Sequence, residues 1–497
     1  MSESMKSVHS TGDQYVDENE KEMVPLAGID PEDERKAVRR LDYSLLPIMT
    51  MFYLLSFLDR SNIGNARVAG LQADLKLTDT QYQICVTVLY VPYIAAELPS
   101  NLLLRKIGPK IMMPTILTLW GMICALQGSV TTYAGLVTVR AFLGLIEGPM
   151  FPGIVLYLSG FYTRKELSLR IALFFSAASL SGAFSGLLAA AIENMDGLRG
   201  RPGWAWIFIL EGVFSCLVGL LGFFLVPSTP QDLKFLTPSQ RNIISRRLLL
   251  DRPTTSPLDR FSVIEVLRSL TSPHVLLLFV ALFMNGTTLY GLANFLPSIV
   301  NQLGFSATRT QLISVGPFAS GFVVTLASAY LSDRYRQRAL SVVVCACIAM
   351  IGFAVFLGSH RTSVAYGSLF MSVSGTYALP PVLSAWMANN SEPHYRRATS
   401  VALGFVATNA GGILSTWRFP KKEGPRFVNT TIMDIVFSAL IALFAVLNVI
   451  YLRWATNYKR QNRDELLEPY SAEKTNDGGD QAWTELGDRH PDFEYAI

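Results

Sequence analysis

The chain has 497 residues, 50% of them hydrophobic and only 16% charged, with a mean hydropathy of +0.33 and a net charge of +4. A soluble domain carries about a quarter charged residues, so this composition argues against a soluble globular protein. The small net charge, with no basic stripe interleaved with aromatics, argues against a nucleic-acid partner.

Taken in chain order, residues 1–40 are polar and acidic between Gly12 and Glu34 and read as a disordered tail. They lack the charged-then-apolar pattern of a secretory signal, which leaves the first apolar helix to direct insertion. Apolar runs follow near 43–63, 82–103, 110–130, 133–160, 168–192 and 205–226. A hydrophilic segment, 227–273, then precedes further runs near 274–297, 311–332, 338–358, 363–388, 398–417 and 431–454. Each run is close to the roughly 20 residues a helix needs to cross about 30 Å of hydrocarbon. The pattern predicts an all-α membrane protein of twelve transmembrane helices in the lipid bilayer. Its halves, 41–226 and 274–456, suggest two parallel repeats with a site at midplane between them. Residues 457–497 read as a second polar, disordered tail.

Lys and Arg are more numerous on one side of these spans, in Arg105, Lys106, Lys110, Arg164, Lys165, Arg170, the central segment, Arg334, Arg336, Arg338, Arg396 and Arg397. That side is expected to be cytoplasmic, with both tails inside. Asn429-Thr430-Thr431 is a glycosylation sequon on the opposite side, close to span twelve. The cysteines Cys85, Cys124, Cys216, Cys345 and Cys347 all sit in apolar runs without a CxxC spacing, so they read as packing residues rather than ligands or disulfides. Neither a cofactor motif nor a Walker-type Gly-rich loop is present, which argues against ATP drive.

Charges inside the spans are the sharpest signal, because they are costly there and by default mark a substrate or ion pathway. Span one ends on Asp59-Arg60, and span four contains Arg140 and Glu147. Seven residues place Arg140 and Glu147 on nearly the same helix face but about 10 Å apart along the axis. Each therefore needs a partner on another helix, in water or on a ligand. A buried guanidinium facing a cavity can grip a carboxylate with two parallel hydrogen bonds. Glu147, among Gly144, Gly148, Pro149, Phe151, Pro152 and Gly153, lies in an apolar setting suited to an acid that takes up and releases a proton. A static interhelical ion pair is the alternative. Asp59 and Arg60 project about 100° apart, so one faces the cavity and the other a neighbouring helix, unless both snorkel to the surface.

The stretch Leu58-Asp59-Arg60-Ser61-Asn62-Ile63-Gly64-Asn65-Ala66 closely resembles the first-helix signature of fungal anion:cation symporters of the major facilitator superfamily, the allantoate-, nicotinate- and pantothenate-permease-like carriers. Glu97-Leu98-Pro99-Ser100-Asn101, Arg140-Ala141-Phe142-Leu143-Gly144 and Trp206-Ile207-Phe208-Ile209-Leu210-Glu211-Gly212 match as well. The resemblance runs from about Leu41 to Tyr458. It implies the major facilitator fold, with Asp59 and Glu147 binding protons and Arg60 and Arg140 binding substrate. Two departures stand out. The motif between spans two and three lacks its acid, reading Arg105-Lys106-Ile107-Gly108-Pro109-Lys110, although its second-half counterpart keeps Asp333-Arg334; and Arg418 stands where the family has an uncharged residue.

Glu97 is expected to join Arg105 or Arg334 in a gating network with Asp333. Tyr93 and Asn409 are further candidates for the substrate-binding wall, with Asn285 and Tyr290 behind them, and packing is the competing reading for each. Glu211 is weighed as a further intramembrane acid, and Gly182-x-x-x-Gly186 as a packing motif. His274, His360 and His394 lie at predicted helix ends or loops. These readings converge on a secondary active transporter, not an enzyme. It is expected to act as a monomer at the plasma membrane, moving a small organic carboxylate anion with protons by alternating access. An exporter of an acidic secondary metabolite and a non-transporting nutrient sensor are the alternatives.

Overall fold

The computed structural model describes residues 30–470 and 482–497, apart from 193–194, 234, 252–262, 336, 393, 420–422, 425 and 484. The regular structure of these residues is helical throughout, as hydrocarbon demands: a spanning helix pairs its backbone groups within its own segment. All twelve predicted spans fall on helices. Span one is Pro31–Val68, span two Asp79–Ile107, span three Pro109–Gln127 and span six Gly203–Leu225. Spans seven to twelve are Pro273–Gln302, Ala307–Tyr335, Arg338–Gly358, Thr362–Asn389, His394–Thr416 and Val428–Gln461.

Spans four and five are each split. Span four consists of Tyr133–Glu147 and Met150–Ser159, broken at Gly148-Pro149, where the proline has no N–H to continue the ladder. Span five consists of Arg164–Phe175 and Ala177–Ile192. At its break the Ser176 hydroxyl donates to the Leu173 carbonyl at 2.6 Å, competing with the helical bond. Among the described residues, eight helices are long and apolar enough to cross a bilayer by length and composition alone; spans two, four, ten and eleven are not among them. Spans two, ten and eleven instead carry buried polar side chains such as Gln83, Ser372 and Asn409, which are shielded by neighbouring helices.

The pairings of the first half recur in the second. Span one packs on five, two on four and three on six; seven packs on eleven, eight on ten and nine on twelve. The halves meet where spans one and seven, two and eleven, and five and eight touch. At Gly64 a Cβ would overlap the Asn294 carbonyl, so spans one and seven approach at backbone distance. Gly182 and Gly186 lie against the Phe318 ring and the Gln311 carbonyl, so this small-residue motif is a packing surface between the halves.

Of the two tails, residues 30–40 and 482–497 include described positions, while 1–29 and 471–481 lie outside the described residues. The helix of span one begins at Pro31, inside the stretch read as disordered, with Asp30 capping it by accepting the Glu32 N–H at 2.9 Å. Its first turns are fastened to other elements: Arg247 of the central helix Pro238–Asp251 pairs with Glu34 at 3.2 Å and with Glu166, and Arg170 pairs with Asp42 at 2.9 Å. Beyond span twelve, residues 482–497 pack on the ends of spans nine to twelve. The Ala496 carbonyl accepts from Trp386 Nε1 at 2.9 Å and Asn390 Nδ2 at 2.8 Å, and its N–H donates to Asn390 Oδ1 at 2.7 Å. Lys459 Nζ donates to the carbonyls of Asp488 and Phe493, each at 2.9 Å, and lies 4.0 Å from the centre of the Tyr495 ring. Asp488 pairs with Arg396. The aromatic residues and the interspersed charges of this segment, read as tail polarity in the sequence, find partners on the helix ends.

Candidate functional site

Tyr53, Phe57 and Arg60 recur at helical spacing on span one and share one face. That face lines a narrow internal cavity with Tyr93, Phe151 and Phe175 from the first half and Leu289, Tyr290, Phe405, Thr408 and Asn409 from the second. Arg60 is buried there. Its Nε donates to Glu147 Oε1 at 2.6 Å and its Nη1 to the Tyr290 hydroxyl at 3.0 Å. The guanidinium carbon sits 4.4 Å from the centre of the Tyr93 ring and 5.4 Å from that of Phe57, close enough for cation–π attraction. The Tyr290 hydroxyl donates in turn to Asn409 Oδ1 at 3.1 Å. One hydrogen-bonded chain therefore runs from Glu147 through Arg60 to Tyr290 and Asn409, crossing from the first half to the second.

Glu147 ends the first piece of span four, next to the Gly148-Pro149 break. It is fully buried, also accepts from the Ser56 hydroxyl, and leaves Oε2 without a partner. Asp59 turns the other way, as the 100° offset requires. It accepts from Trp120 Nε1 and, at 3.2 Å, from Cys124 Sγ on span three, behind the cavity wall.

The cavity measures about 20 Å³, barely room for one water, so this conformation is contracted around its charged groups. A larger cleft of about 230 Å³ opens where Trp417, Arg418, Glu423, Asn429 and Ile432 meet, at the end of span eleven.

Of the residues expected to bind substrate, Arg60, Tyr93 and Asn409 share the cavity wall. Arg140 does not. It is buried beside span two, where its Nε donates to the Cys85 carbonyl at 3.4 Å and its Nη1 has no partner. The sequence placed it facing the cavity; it lies about 10 Å along span four from Glu147, at a level where that face meets span two instead. Among the described residues, the expected gating side chains take these positions. Glu97 is buried with Oε2 unpartnered, Asp333 pairs with Arg338 of the next helix, and Arg334 is exposed. The side chain of Arg105 lies outside the described residues. Ser56 and Trp120, which help hold the two acids, went unnoticed in the sequence; Cys124 was read as a packing residue, and of the aromatic wall Tyr93 and Tyr290 were singled out. The Tyr53–Phe57–Arg60 stripe was a usable signal for that wall.

A family model described as the Major Facilitator Superfamily matches residues 49–416. A Schizosaccharomyces pombe protein described as an uncharacterized transporter is 32% identical over 426 residues, covering 85% of this chain and 84% of its own. The high-affinity nicotinic acid transporter of Saccharomyces cerevisiae is 32% identical over 467 residues, covering 93% of this chain and 85% of its own. A bacterial homologue of the human lysosomal transporter Spinster, solved inward-facing and unoccupied, superposes on 85% of this chain and 98% of its own, with a TM-score of 0.66 at 15% identity, a likeness of fold alone. Helices, halves and relatives agree: the chain is a multi-pass membrane transporter that belongs to the Major Facilitator Superfamily, and its relatives are fungal carriers of the anion-symporter-like kind.

Proposed function

We propose that this carrier imports a small organic carboxylate together with protons, by alternating access between its two halves. The observation that carries the reading is the Arg60–Glu147 pair in the wall of the cavity. While Glu147 is ionised, a substrate carboxylate must compete with it for Arg60 and would add a second negative charge to a buried site, at high cost. Once Glu147 takes a proton, the guanidinium is released and can grip the incoming carboxylate with two parallel bonds. Proton and anion then favour each other's binding, and linkage makes that help reciprocal.

Asp59 is the second proton carrier on this reading, and Arg140, with Nη1 unpartnered, is a second cation awaiting an anion when the site opens. Tyr93 and Asn409 position the substrate. The aromatic wall of Tyr53, Phe57, Phe151, Phe175, Tyr290 and Phe405 suits a flat or aromatic body behind the carboxylate, in keeping with a nicotinic acid transporter among the relatives. The contracted cavity must widen to load, and the break at Gly148-Pro149, one residue from Glu147, gives span four a place to bend. Glu97, Arg105, Asp333 and Arg334 would gate the tail-bearing face in a conformation other than this one. Because the pathway lies between two halves of one chain, a monomer suffices, and uptake places it at the plasma membrane with both tails in the cytoplasm.

The test is uptake of labelled nicotinate and other small organic acids into cells stripped of their own permeases, with and without a protonophore. Accumulation that collapses with the proton gradient is expected. Efflux of preloaded acid would instead favour an exporter, and binding without flux a sensor; either would overturn the reading.

A further inference from the structure

Inside the first half, behind the cavity wall, four buried polar atoms have no partner among the described residues. Both carboxyl oxygens of Glu211 and both amide atoms of Gln127 are unbonded, at 4% and 0% exposure. Folded proteins pair roughly 90% or more of such atoms, with protein or with ordered water. They lie where spans three and six pack. Trp120, Cys124 and Gln127 recur on one face of span three, and the first two donate to Asp59. Phe208, Glu211 and Ser215 recur on one face of span six; Cys124 Sγ lies 3.8 Å from the Phe208 carbonyl, and Ser215 faces Asp59. From Asp59 the seam runs through Glu211 to Gln127, at the end of span three opposite the tails, where Arg201 donates to the Gly128 carbonyl at 3.2 Å.

We infer that this seam holds ordered water and conducts protons between the face opposite the tails and Asp59, by a route separate from the substrate cavity. Polar pockets in protein interiors hold waters that make two to four hydrogen bonds, whereas empty cavities are apolar, and this seam offers carboxyl, amide and hydroxyl groups in series. A proton arriving on a water beside Gln127 protonates the Glu211 carboxylate. Glu211 passes that proton to the Asp59 carboxylate, directly or over one water, and is recharged from the same face. The other titratable or charged groups acting on the relay are Cys124 from span three, Cys216 from span six, and Glu147 and Arg140 from span four. The coupling of this route to transport rests on the symport reading above; the hydration and exchange of the seam do not.

Infrared difference spectroscopy of the full-length protein in liposomes, on transfer from H2O to D2O, tests the route. Wild type is expected to show a protonated-carboxyl band that Glu211→Gln removes. That band should exchange about tenfold more slowly in Gln127→Leu, a change of about 1.4 kcal/mol in the barrier, while Gln127→Glu, which keeps polar atoms at the position, should restore fast exchange. Absence of the band, or exchange indifferent to Gln127→Leu and Gln127→Glu, would overturn the inference. Labelled-nicotinate uptake measured in parallel separates the two ideas: protonophore-insensitive uptake by wild type would sink the symport reading and leave the exchange result standing.

Discussion

The two halves share their helix pairings but not their electrostatics. The first buries Asp59, Arg60, Glu97, Arg140, Glu147 and Glu211 within its spans. The second, at the same depth, relies on neutral groups: Asn285 donating to the Thr376 carbonyl at 3.1 Å, His274 on Asn448 at 2.8 Å, and the Tyr290 and Asn409 pair. Its buried acid within the spans, Asp434, accepts from the Thr288 hydroxyl at 3.0 Å. A common scaffold has thus been given one ionisable half and one hydrogen-bonding half. Shared packing says nothing about where the charge chemistry resides; on the proposed symport reading, proton handling would belong to the first half, while both halves line the cavity.

The hardest blow to that division is Arg60→Ala. Removing one partner of a buried pair costs about 3–5 kcal/mol, and on the proposed reading it also removes the anion receptor, so uptake of labelled nicotinate per folded protein should fall to background. Arg60→Lys should recover little, because an ammonium cannot reproduce the fork that reaches Glu147 and Tyr290 at once. Next in size is Glu147→Gln, expected to abolish proton-driven accumulation and its pH dependence while leaving counterflow exchange intact; accumulation at the wild-type level would remove Glu147 from the coupling scheme. Arg140→Ala, off the cavity wall, should slow uptake about tenfold, distinctly less than Arg60→Ala, and an equal loss would show that the open site recruits Arg140 fully. Tyr290→Phe deletes one neutral and one charge-assisted hydrogen bond, worth about 0.5–3 kcal/mol each, and should raise the half-saturation for nicotinate while sparing the pH profile. The smallest effect is expected from Asp434→Asn, whose amide oxygen still accepts from Thr288. If its pH profile moved, proton chemistry would extend into the second half and the contrast would dissolve.

Hydropathy and length were enough to read the helical spans, most plainly the eight that are long and apolar enough on their own, because hydrocarbon imposes both on the sequence directly. The four intramembrane charges were equally plain, and the Gly148-Pro149 break was visible as a loosening of span four. Their partners were not. Arg60 and Glu147 are 87 residues apart, and their meeting depends on how spans one and four are rotated, which no local spacing encodes. Arg140 lies about 10 Å farther along the same face and meets span two instead, so two charges that share a helix face in projection end in different surroundings. The 100° offset between Asp59 and Arg60 did carry over, one turning to the cavity and the other to Trp120 and Cys124, because neighbouring residues on a helix have no freedom to do otherwise. The contacts of the described C-terminal segment were not legible for a different reason: composition averages over a segment, while docking depends on where Asp488, Phe493 and Tyr495 fall within it.

Residues 482–497, by gripping Trp386, Asn390, Arg396 and Lys459, also set terms for anyone who wishes to handle the molecule. A fluorescent or affinity fusion appended after Ile497 would pull on backbone already committed to Arg338 and Asn390. It could loosen the ends of four helices and be mistaken for a fragile carrier. Attachment ahead of Pro31 leaves that fastening untouched.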